Sequence, residues 1–144
     1  MATFTKVNDF VEDVAEKVHN LGSDTLTVAL SVTAPGSETS DPSADGNGVL
    51  ANVTQIAYTN LSTRVITTTS SAQTSGTYKL TLTDLVLTAS GGAVAAFRYI
   101  YIYNDTAASD QLIGYYDYGS NLTLNDGDTL TLDFSASNGF LTIA

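Results

Sequence analysis

The chain has no cysteine, one histidine, two prolines and five cationic residues in 144 positions. Each scarcity excludes something. Without thiols there is no disulfide framework, no thiolate nucleophile and no thiolate metal site. With His19 as the single histidine and no G-x-S-x-G motif, neither a Ser-His-Asp nor a Cys-His constellation can be assembled. Lys6, Lys17, Arg64, Lys79 and Arg98 stand against fifteen acids, a net charge of −10. A nucleic-acid binder needs a basic stripe to neutralise phosphates, and an anionic membrane repels such a chain, so neither is an expected partner. No apolar run reaches the roughly 18 to 20 residues of a spanning helix. The N-terminus lacks the basic region and apolar core of a secretory signal, so none is expected.

What is present points to strands. Apolar residues make up 43% of the chain and threonine occupies 22 positions, often alternating with Leu, Val or Ile. β-Branched residues suit a pleated surface. The length suits one domain with a real core.

Only the first 22 residues carry a helical period. Val7, Phe10, Val11, Val14, Ala15, Val18 and Leu21 recur at i, i+3, i+4, i+7, with Asp9, Glu12, Asp13 and Glu16 opposite. This predicts an amphipathic helix over 7–21, capped by Thr5 or Asn8 and ended at Gly22. A helix of this length is marginal alone, so it must dock on its own sheet or on another chain.

The remainder, 23–144, reads as a body of eight or nine short strands. Strands are predicted at 25–33, 49–58, 61–69 and 77–88, the last with a bulge or corner near Asp84, where the apolar parity shifts. Residues 34–48 hold both prolines and read as a long loop. Segment 97–103 places Phe97, Tyr99, Tyr101 and Tyr103 on one face and Ile100 and Ile102 on the other, and 111–118 is predicted to pair with it. A hairpin is predicted at 121–134 around Asn125-Asp126-Gly127-Asp128, and a last strand at 140–143. The fold class is therefore mainly β, an antiparallel jelly-roll-like sandwich with one N-terminal amphipathic helix.

For function, His19 reads as a cation at the helix C-terminus rather than a base. The carboxylates lie in turns and on the helix's polar side, where solvation explains them better than glycoside hydrolysis does. The stretch beginning Asp41-Pro42-Ser43-Ala44-Asp45-Gly46 starts like a calcium loop, but its twelfth position is Asn52 rather than a bidentate Glu. No catalytic residue, cofactor or metal site is assigned. The interface candidates are Phe10, Val14 and Val18 on the helix, and Tyr99, Tyr101, Tyr103, Tyr116 and Tyr118 on the strand pair. Aromatics with a polar tip are enriched at interfaces and stack on sugars, yet the same face could equally carry the helix.

Several stretches together resemble a family of small virion structural proteins of tailed bacteriophages. They are TFTKVNDFVEDVAEKVHNLGSDTLTVALSVTAP, SSAQTSGTYKL, FRYIYIYND, LIGYYDYGS and LNDGDTLTLDFSASNGFLTIA, which cover most of the chain. Loop 36–48 is the most individual part. The resemblance implies a non-enzymatic capsid decoration (cement) protein, homo-oligomeric as a dimer or trimer. Its partner would be the major capsid protein, on the outer surface of the virion. It brings no catalytic residues with it. The competing expectation is a tail or fibre component whose tyrosine face binds carbohydrate.

Overall fold

Leu/Thr alternation gives strands, and the computed structural model, which describes residues 2–144, is mainly β. Among the described residues there are ten strands, one α-helix and two short 3₁₀ turns. In chain order the strands and the α-helix are β1 (Phe4–Lys6), α1 (Phe10–Ala15), β2 (Leu26–Ser31), β3 (Val65–Ile66), β4 (Thr68–Thr74), β5 (Thr77–Leu82), β6 (Leu85–Thr88), β7 (Phe97–Asn104), β8 (Leu112–Leu122), β9 (Thr129–Leu132) and β10 (Leu141–Ile143). Every strand pair is antiparallel. The strands form a five-stranded sheet in the order β1-β8-β7-β2-β3, a three-stranded sheet β10-β5-β4, and the pair β6-β9.

The large sheet is covered on both faces at its centre, since β2 is buried along its whole length and β7 is buried at all but Arg98. One face carries Val28, Leu30, Ile100 and Ile102, and registers Val28 with Ile102 and Leu30 with Ile100. It continues through Tyr116 and Phe4 to the aromatic rings of the smaller sheets. Phe4 lies 5.1 Å from Tyr116 and 4.8 Å from Phe140, and Phe140 lies 5.7 Å from Phe134. The other face carries Tyr99, Tyr101 and Tyr103, opposite Ser31, Ala29 and Thr27 of β2.

The expected corner is present at 83–84. β5 ends at Leu82, β6 begins at Leu85, and the two belong to different sheets. Asp84 fixes the bend by accepting the Phe134 backbone N–H at 2.9 Å. The expected pairing of 97–103 with 111–118 is also present, as β7 on β8.

Four expectations need correction. The helix spans six residues, not fifteen. Lys17 adopts φ 67° and ends it well before Gly22, and the Val18 N–H closes back on the Asp13 carbonyl at 2.8 Å. No side chain caps its start, and Asp9, at the cap position, bonds elsewhere. Residues 4–6, inside the expected helical unit 1–22, form an edge strand on β8 instead. Segment 49–58 is not a strand but a single bridge of Val49 to Gln111, a 3₁₀ turn at 50–52 and then irregular chain. The hairpin 121–134 does not form. Asn125–Asp128 does turn, but β9 pairs with β6, while the Leu124 carbonyl accepts from Val94.

Candidate functional site

The tyrosine face is where sequence placed the binding residues, so its covering decides what they can do. Tyr101 is wholly inaccessible, and Tyr99 and Tyr103 are 7% and 5% exposed. Their rings pack with β8, Tyr115 lying 5.4 Å from Tyr101 and 6.5 Å from Tyr99. Burial pushes the Tyr101 hydroxyl far above its ordinary pKa, and the nearby charge of Glu38, Tyr115 and Asp41 adds to it. Burial raises Tyr103 as well, with Asp105 reinforcing it.

The long loop brings Glu38 and Asp41 near Tyr101, with Pro35 and Pro42 buried within it. Its far end is tied to the start of β8 by the Leu112 N–H on the Gly48 carbonyl at 2.8 Å. Glu38 is anchored by Thr54, which donates its N–H at 2.8 Å and its hydroxyl at 2.7 Å. Thr54 in turn receives the Ser31 hydroxyl at its carbonyl, 2.7 Å away. Beside β2, Tyr58 accepts the Leu30 N–H at 3.0 Å and donates to Gln55 at 2.7 Å. The Arg64 guanidinium lies 3.7 Å above the Tyr58 ring and donates to the Val28 carbonyl.

The helix sits elsewhere, at the end of the large sheet where β7 stops and β8 starts. Val7 extends the β1 ladder by donating to the Ile113 carbonyl at 3.2 Å. Asp9 accepts the N–H groups of Gly46 and Gly48 at 2.7 and 2.8 Å, holding the end of the long loop against the N-terminal segment. Of the helix-stripe candidates Phe10 is buried, Val14 and Val18 are half-buried, and the neighbouring Val11 is 59% exposed. His19 is buried, and desolvation lowers its pKa against the weaker, opposing pull of Asp24. It is not the helix-end cation that the sequence suggested, because the helix stops at Ala15.

Tyr116 and Tyr118 remain nearest to solvent. They line an apolar cleft of about 330 Å³ between β8 and β9, with Ile100, Leu130, Leu132 and Phe134. Burial, helped by the charge of Asp133, pushes the Tyr116 hydroxyl up to about 12. Tyr118 is 45% exposed. Next to it, Arg98 grips Asp117 with two bonds of 2.7 and 2.9 Å, which hold that carboxyl below the usual carboxylate range.

Among the described residues no three His, Asp or Glu side chains converge where a metal ion could sit. Asp41, first residue of the calcium-like stretch, takes the N–H and hydroxyl of Ser43 at 2.9 and 2.6 Å, an ordinary turn. No helix among them is long and apolar enough to cross a membrane. Sequence reasoning missed Phe4, Asn104 and the anchored loop. Gly114, which pairs with Lys6 and lies under the Phe4 ring, was the one available signal for the first of these. Comparison with family models, curated proteins and solved structures finds no match for this chain.

Proposed function

We propose that this chain is a structural protein of a tailed-phage particle, a capsid decoration protein that binds the outer face of the major capsid shell. Its body is read as a β-sandwich, the aliphatic face of the five-stranded sheet packing on the two smaller sheets. The observation that carries this reading is the set of family-like stretches in the sequence. They span most of the sheet elements: the N-terminal segment with β2, the β4–β5 pair, β7, β8 and the β9–β10 end.

The physical character of the molecule supports the role. Its net charge of −10 would complement a basic rim on a shell. Many copies attached at once, as dimers or trimers, would convert modest contacts into firm attachment. The competing reading, a tail component with a sugar-binding tyrosine face, is weakened because Tyr99, Tyr101 and Tyr103 are buried. Only Tyr116 and Tyr118 are left for it.

Phage heads stripped of the protein provide the test. Added chain is expected to bind them to a fixed stoichiometry, raise the temperature of genome release, and bind less tightly as salt screens the charges. Failure to bind at low salt, together with specific retention on a glycan array lost in Tyr118→Ala, would replace this proposal with the sugar-binding one.

A further inference from the structure

Behind the helix lies a polar cluster that none of the packing above requires. The His19 side chain has no solvent exposure, and its ring lies 5.4 Å from that of Phe10. Its Nδ1 is 3.0 Å from the side-chain nitrogen of Asn104. The Asn104 amide cannot turn round, because its oxygen accepts the backbone N–H of Thr106 at 3.0 Å and of Ala107 at 3.2 Å. Its nitrogen also donates to Asp24 Oδ2 at 2.6 Å, and that carboxylate accepts the Asn20 N–H at 2.7 Å. Asn104 is therefore a donor towards the ring, Nδ1 is a bare acceptor, and the proton of the neutral imidazole sits on Nε2. Nε2 faces Asp13 Oδ2 at 3.8 Å, beyond hydrogen-bond reach, and neither atom has another partner.

We infer that this cluster is a proton-operated latch: a proton added to His19 Nδ1 sets two donors against each other and releases residues 17–24 from the 104–107 turn. Asp24 faces the ring from the turn before β2, and Asp13 faces it from α1. Asp9, Glu12 and Glu16 are the charges around Asp13. Carboxylates favour the imidazolium and burial opposes it; burial prevails, so the folded chain prefers the neutral ring.

The direction with pH follows from that preference. A histidine whose folded pKa lies below its unfolded value of 6.5 leaves the latch intact above that value. The latch then weakens as pH falls from there through the folded pKa. Asp13 acts in the opposite sense. Burial, then Asp9, Glu12 and Glu16, raise its pKa, so its protonation favours the folded chain. Release is thus confined to the window just below the ordinary histidine value. It uncovers Phe10 and Leu21, each 7% exposed while the latch is closed.

Nuclear magnetic resonance on the intact chain tests this. At about pH 8 the imidazole should be the Nε2–H tautomer, with a titration midpoint below the ordinary ~6.5. Amide exchange at 17–24 and 104–107, corrected for its intrinsic pH dependence, should rise by up to about tenfold per pH unit within the window, while the centre of β7 stays protected. His19→Gln should flatten that rise. An Nδ1–H tautomer, a midpoint at or above the ordinary value, or the same rise in His19→Gln would overturn the latch. If the variant does not fold, the wild-type tautomer and midpoint still decide.

Discussion

A Cβ at position 114 would run into the ring of Phe4 and the carbonyl of Thr5, so the bare backbone of Gly114 is what seats the first strand. Phe4 then reaches Tyr116 and Phe140 and joins the N-terminus to the core. Gly114→Ala should cost about 1 to 3 kcal/mol, typical of overpacking a filled site. In a chain of this size that lowers the melting midpoint by some ~2 to 4 °C per kcal/mol, measurable by thermal melts. Phe4→Leu in the same background should recover part of the loss by making room. Residues of this kind were only half legible. A glycine inside an aromatic strand signals a close approach, but it does not name the residue that approaches. His19 was misread for a related reason: its partner Asn104 is 85 positions away, and a lone histidine does not display its neighbours.

At the scale of elements, the 3.6-residue period in the first 22 residues was real but ran past the helix it described. Val7 and Leu21 do reach the core, yet as part of a ladder and a turn; the helix itself buries Phe10. Phe10→Asp should therefore destabilise by at least about 3 kcal/mol, through lost packing and a buried charge. Val11→Asp, one position along the same expected stripe, should stay within about 0.5 kcal/mol because it faces water. Urea denaturation of the two variants separates a six-residue helix from a fifteen-residue one, for which both changes would be costly. The strands were easier to read. Alternation located β2, β7 and β8, and the parity shift marked the corner between β5 and β6. Partners were harder, since Asn125–Asp128 turns as a hairpin would while β9 pairs with β6. The burial of the tyrosines was invisible in advance. A loop buries its residues through individual anchors such as Glu38 on Thr54, and these leave no period in the sequence.

For the whole molecule, the mainly β, antiparallel character was legible because composition and alternation act along the entire chain, whereas the candidate site was not. Which of eight tyrosines face water depends on how the sheets and the long loop meet. The acidic balance survives folding largely uncompensated. Five cations stand against fifteen acids, and one of the five, Arg98, is paired with Asp117. The proposed attachment to a basic counterpart would draw on that field and should weaken as ionic strength rises. The most direct measurement is a cryo-electron-microscopy reconstruction of the phage particle that carries this chain. The proposal predicts density fitting the β body at regular positions on the outer capsid surface, repeated with the shell's symmetry. Density confined to the tail or fibres, or none on the particle, would contradict it.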